Sequence, residues 1–182
     1  MTTTARANPI REGFLLPDDL SVFIGKKTLV KLILEAIEDF DLRTIEGGTG
    51  GPGTAGVPSA SVLTLLAYCY STGVYSSTDI EFSMHHDRMM RYLCANNYLT
   101  LPALREFRRY NRDRIQSCLA TVLRRVWELR FWGEDARPVA MPCYPEASFA
   151  RWLKVRPPPD FGAEAEQRIE WAVRADSMAL DE

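Results

Sequence analysis

The 182-residue sequence is poor in the residues that most often carry chemistry. It has two histidines, His85 and His86, and they are adjacent. Neighbours on a helix point about 100° apart, so such a pair rarely shares one metal ion, and no zinc-type spacing is present. The four cysteines, Cys69, Cys94, Cys118 and Cys143, are far apart, with no CxxC. The N-terminal MTTTARANPIREG lacks the apolar core of a secretory signal, so the thiols read as free and the protein as cytoplasmic. The longest apolar run, residues 62–70, is broken by Thr64 and is far too short to span a bilayer. No GxSxG or HExxH occurs, and the Gly-rich stretch 47–56 lacks the Lys-Ser/Thr ending of a nucleotide loop. These absences leave no candidate catalytic residue, no metal site and no cofactor, and they set aside a membrane partner. Strand-like alternation is missing before Arg137, so helix is the dominant expectation.

What is present is charge in blocks. The formal net charge of -2 conceals ten arginines between Arg88 and Arg130 against Glu106, Asp113 and Glu128, a net of +7. From Asp160 to Glu182 seven acids face Arg168 and Arg174, a net of -5. A basic block on one segment is the footprint of a polyanionic partner, while the acidic whole argues against a strong nonspecific binder.

Hydrophobic residues make up 46% of the chain, enough for a real core. Residues 1–13 are polar and read as disordered. Residues 15–20 read as a turn opening a short helix. Residues 27–40 are amphipathic, with Leu29, Ile33, Ala36, Ile37 and Phe40 on one face. The Gly-rich stretch 47–57 reads as a flexible loop. A helix is expected over 59–73, with Val62, Leu65, Leu66, Cys69 and Tyr70 as its core face and Gly73 suited to its end. Thr78 and Glu81 fit a capping box. Short helices over 77–84 and 87–95 follow, the second capped by Asp87 and stopped at Asn96–Asn97. Pro102 opens the longest helix, 102–131, in which Leu104, Phe107, Ile115, Leu119, Val122, Val126 and Leu129 recur at helical spacing around Asn111. Residues 137–160 are Pro-rich, with a short helix expected at 146–153. A final amphipathic helix is expected over 163–180, with Ile169, Ala172 and Val173 inward.

Arg105, Arg108, Arg109 and Arg112 crowd the first turns of the long helix. Planar guanidinium groups suit phosphate oxygens, and four of them over two turns can track a DNA backbone. On charge alone, a solvated face with ion pairs to Glu106 and Asp113 is the commoner arrangement. Three stretches add to the charge: YSTGVYSSTDIE (70–81), MMRYLCANN (89–97) and LPALREFRRYNRDRI (101–115), with FLLPDDLSVFI (14–24) upstream. In order and spacing they resemble the N-terminal, InsH-type domain of bacterial DDE insertion-sequence transposases, over roughly two thirds of the chain. The resemblance implies a helical domain that recognises transposon ends, with the four arginines as contacts to double-stranded DNA and residues 77–100 as a helix-turn-helix variant. In the family a ribonuclease-H-like sheet with three metal-binding carboxylates follows the long helix. Here residues 137–141 are the only strand-like remnant, no Asp-Gly follows them, and the remaining residues are too few for that sheet. The expectation is therefore a non-enzymatic DNA-binding protein.

Two aromatic groupings have a plainer explanation. Tyr68, Tyr70, Tyr75, Tyr92, Tyr98 and Tyr110 surround the basic segment, where aromatics can stack unpaired bases. At helical spacing they are more often core with a polar tip. Trp127, Phe131, Trp132, Trp152 and Trp171 read as docking the tail on the long helix, in preference to an exposed dimer patch.

The sequence as a whole predicts an all-α bundle of about five to seven helices. Residues 14–132 form the transposase-like domain, and residues 133–182 a Pro-rich linker with an acidic helix packed on it. Its expected role is to bind transposon ends or associate with itself or full-length transposase, as a repressor or a remnant. The alternative is a protein–protein module in which the long helix and the Trp-rich tail mediate oligomerisation and the arginines pair with acids such as those of the tail.

Overall fold

The computed structural model describes residues 16–40, 57–131 and 160–178. Eight helices occur among them: α1 (Leu20–Ile24), α2 (Lys26–Glu38), α3 (Ser59–Ser71), α4 (Ser77–His86), α5 (Arg88–Leu93), α6 (Leu101–Tyr110), α7 (Arg112–Phe131) and α8 (Phe161–Met178). The described residues contain no strand, only an isolated antiparallel bridge between Asp19 and Thr72. The all-α expectation holds. The expectations for residues 1–13, 47–56, 137–141 and 146–153, and those for Cys143, Trp132 and Trp152, lie outside the described residues.

Helix α3 is the axis of the molecule. Every residue from Val62 to Ser71 is buried, not only the expected stripe. Helices α2, α5, α7 and α8 all pack against it, and a helix that is apolar all round belongs at the centre of a bundle. Near its end the carbonyls of Tyr68, Cys69 and Tyr70 all find donors, as orphan helix carbonyls require. Thr72 Oγ1 donates to the Tyr68 carbonyl at 2.9 Å. The Cys69 carbonyl accepts from the Thr72 and Val74 amides at 3.0 and 2.9 Å. Arg168 donates to the Tyr70 carbonyl at 2.9 Å. Gly73 then takes φ +79°, the left-handed turn that releases the chain.

The starts and stops of α4 to α6 follow local chemistry. Asp87 caps α5, its Oδ1 accepting from the amides of Met89 and Met90 at 2.7 and 3.0 Å. The cap of α4 falls two residues earlier than the Thr78–Glu81 pair: Ser76 Oγ accepts from the Asp79 amide at 3.0 Å. Helix α5 stops in a Schellman motif, with Asn96 N–H donating to the Arg91 carbonyl and Ala95 N–H to the Tyr92 carbonyl. Ala95 (φ 51°) and Asn96 (φ 58°) both occupy the left-handed region there. Thr100 caps α6, and Pro102 sits in its first turn.

The expected single helix over 102–131 is two helices. Asn111, buried and at φ -118° ψ 25°, ends α6; its amide N–H and its side-chain Nδ2 both donate to the Phe107 carbonyl, at 3.0 and 3.1 Å. The side chain thus shares with the backbone amide a carbonyl that a continuous helix leaves to the amide alone. This break brings the number of helices among the described residues to eight. Leu104, Phe107, Ile115, Leu119, Val122 and Val126 are buried as expected, whereas Leu129 is exposed.

Helix α8 is part of the core. Phe161, Ala165, Ile169 and Ala172 are buried, and α8 packs along α7. Phe161 meets Trp127 edge to face at 6.3 Å between ring centroids, and Trp171 is half-buried, in keeping with the docking reading of the aromatic string. Val173, expected inward, is exposed. Two charged residues are inward instead: Glu164 and Arg168.

Candidate nucleic-acid interface

The four arginines assigned to DNA do not share one surface. Arg108 is 8% exposed and turned into the protein. Its guanidinium donates to Tyr70 Oη at 3.2 Å, to the Tyr75 carbonyl at 3.4 Å, to Ser77 Oγ and to Asp176 Oδ2. Burial alone pushes a guanidinium toward neutrality, but Tyr70 and Asp176 outweigh it and raise the Arg108 pKa. Burial also lifts the Tyr70 phenol to about 12, against the opposing pull of Arg108. Arg108 is therefore an internal cross-link between α3, α4, α6 and α8, and not part of the solvent-facing surface on which it was expected to lie. Four residues after Leu104, it lies only about 40° from the buried stripe of α6.

Arg105 and Arg112 are half-buried and face α8. Arg105 Nε is 3.5 Å from Asp176 Oδ2. Arg112 donates to Glu166 through Nε at 3.0 Å and through Nη2. Arg109 alone of the four is exposed, its guanidinium 5.4 Å from the centre of the Tyr110 ring. The rest of the basic block divides in the same way. Arg125 pairs with Glu35 of α2 and with Asp39 at its C-cap. Arg88, Arg114 and Arg124 are exposed and Arg91 is half-buried; none of these four makes an ion pair with a described residue. Arg114 and Arg124 fall on one solvent-facing side of α7, about 80° apart by helix geometry.

The tyrosines split by burial. Tyr68, Tyr70 and Tyr75 belong to the core; Tyr92, Tyr98 and Tyr110 are exposed. The histidines find aromatic partners: Phe82 stacks on His86 at 4.0 Å and Tyr98 on His85 at 4.3 Å. Among the described residues no three His, Cys, Asp or Glu side chains are grouped so as to hold a metal ion. No helix of the described residues is long and apolar enough to cross a membrane.

Three features were missed at the level of sequence: the inward Arg108, the Arg168–Glu164 pair and Asp176. Arg168 had a visible sign, because Ala165, Ile169 and Ala172 place it within the apolar stripe of α8. Asp176 had none, since its partners lie on other elements. Comparison with protein-family models, with curated proteins and with solved structures returns no match.

Proposed function

We propose that this chain binds double-stranded DNA, as its resemblance to transposon-end recognition domains implies, and that it acts by occupying such ends or by joining full-length transposase. The observation that supports this reading is the set of arginines without an acidic partner among the described residues: Arg88, Arg91, Arg109, Arg114 and Arg124. Two of them lie on α5, within the helix-turn-helix-like segment 77–100, and one near the end of α6, the helix that follows it. Arginines held by internal carboxylates have part of their hydrogen-bonding capacity committed, whereas these five keep theirs for phosphate. The reading assigns the chain no catalytic step.

Titration of labelled duplexes taken from the DNA on either side of the gene, across a salt series, tests it. Each phosphate contact releases counterions, so log affinity falls with log salt at about -0.9 per contact. Arg109→Ala should make the slope shallower by about one unit and weaken all sequences alike. Wild-type protein with no salt-sensitive binding would refute the proposal.

A second reading has its own support. Arg105, Arg108 and Arg112 are paired with α8 acids, and Phe82 and Tyr92 are 63% and 68% exposed. Exposed aromatics of this kind suit a protein–protein module. Self-association in sedimentation experiments, without salt-sensitive DNA binding, would favour it.

A further inference from the structure

Four donors from two helices converge on one carboxylate near the end of α8. Asp176 Oδ1 accepts from the Ser77 amide at 2.6 Å, and Oδ2 accepts from Ser77 Oγ at 2.8 Å and from Arg108 Nη2. Arg105 Nε lies 3.5 Å from Oδ2 and is a buried donor without a hydrogen bond. The Asp176 side chain is 13% exposed. Two guanidinium groups thus face one carboxylate, and its two oxygens leave one donor unmet. A tetrahedral oxyanion offers a third oxygen and more negative charge.

Asp176 is also poorly placed for its own helix. It lies in the last turn of α8, where the macrodipole disfavours negative charge and no basic residue compensates. The helix N-terminus of α4 and the two arginines hold it there. Within that turn only Ala175 packs on the core, and partly; Ser177 and Met178 are exposed. The residues that anchor α8, Ala165, Ile169 and Ala172, lie further back. The turn can therefore lift without undocking the helix.

We propose that Ser77, Arg105 and Arg108 form a phosphate site that Asp176 fills in cis and that an external phosphate group takes over when the last turn of α8 opens. If the DNA-binding reading holds, that group is a backbone phosphate, and Asp176 lowers DNA affinity by competing for the site. Phosphate recognition itself does not depend on that reading.

The test compares wild type, Asp176→Ala and the double variant Asp176→Ala/Arg105→Gln by thermal unfolding, in inorganic phosphate against sodium chloride of equal ionic strength. At a phosphate concentration ten times the dissociation constant, Asp176→Ala should gain roughly 3–6 °C. Wild type and the double variant should gain only the small general effect of the salt. Equal shifts in all three proteins would overturn the site. If Asp176→Ala fails to unfold cooperatively, Asp176→Asn, which keeps the side-chain shape and removes the charge, takes its place with the same criterion. Duplex DNA separates the two sources of phosphate. Affinity that rises in Asp176→Ala and falls back in the double variant assigns the site to nucleic acid. A phosphate-specific shift without duplex binding assigns it to free phosphate, and then the DNA reading fails while the site stands.

Discussion

Replacing Arg168 by Met should be among the most damaging single changes in this protein. The Arg168 side chain is 0% exposed. Its Nη1 donates to the carbonyls of Asp18 and Tyr70 at 3.2 and 2.9 Å. Its Nη2 donates to those of Leu16 and Pro17 at 3.3 and 2.8 Å. Nε and Nη2 both reach Glu164 Oε1, at 3.3 and 3.0 Å, and the same oxygen accepts the Leu16 amide at 3.2 Å. One guanidinium thus joins the N-terminal segment, the end of α3 and helix α8. Methionine has similar length and fills the volume, so the loss is mainly electrostatic. It strips donors from four carbonyls and leaves the Glu164 carboxylate buried without its cation. Breaking a buried pair from one side costs about 3–5 kcal/mol, a large part of a total stability of about 5–15 kcal/mol. For a chain of this size the melting temperature should fall by roughly 6–20 °C. Circular dichroism melts and urea titrations read this directly. The double variant Arg168→Met/Glu164→Leu should be less destabilised than the sum of the singles, by roughly 1–3 kcal/mol, because no charge is then stranded. A loss under about 1 kcal/mol for Arg168→Met, or strict additivity in the cycle, would refute the argument.

Two further outcomes follow from local features. Ala95→Gly should stabilise the fold by about 0.5–1 kcal/mol, because the Schellman position holds an alanine at φ 51° where glycine is unstrained; an unchanged urea midpoint would contradict this. Stability should also decline in alkali. Burial pushes the Cys69 thiol far up, and burial raises Cys118, Tyr68 and Tyr70 to about 12. The fold holds the protonated forms, whereas an unfolded thiol ionises near ~8.5. The contribution is therefore complete below about pH 8.5 and is lost as pH rises toward 12, at about 1.4 kcal/mol per pH unit per buried thiol. Urea midpoints measured from pH 8 to pH 11 check this, and a flat profile would refute it.

Much of the secondary structure was legible because its causes are local. The cap at Asp87, the proline in the first turn of α6, the left-handed Gly73 and the stripe Leu29, Ile33, Ala36, Ile37 each act within a few residues of themselves. The interruption at Asn111 was harder to see. The apolar spacing of 102–131 continues across it, and the break shows only in the Asn111 backbone, at φ -118° ψ 25°, where the side chain joins the amide on the Phe107 carbonyl. The α4 cap was shifted for a related reason: Ser76, Ser77 and Thr78 are all eligible hydroxyls, and Ser77 is drawn to Asp176.

The candidate site was legible only in its composition. The sequence by itself determined an all-helical chain with a basic block and an acidic tail, because helical period and charge are written residue by residue. Which arginines face solvent was decided by tertiary structure alone. Arg109 and Arg108 are neighbours of identical chemistry, yet one is exposed and the other is buried among Tyr70, Ser77 and Asp176. Arg168 likewise takes partners 150 and more positions away at Leu16, Pro17 and Asp18. A buried guanidinium is tolerated only where carbonyls and carboxylates converge on it. That convergence arises from the packing of α8 against α3, α4 and α7, and no local stretch of sequence contains it.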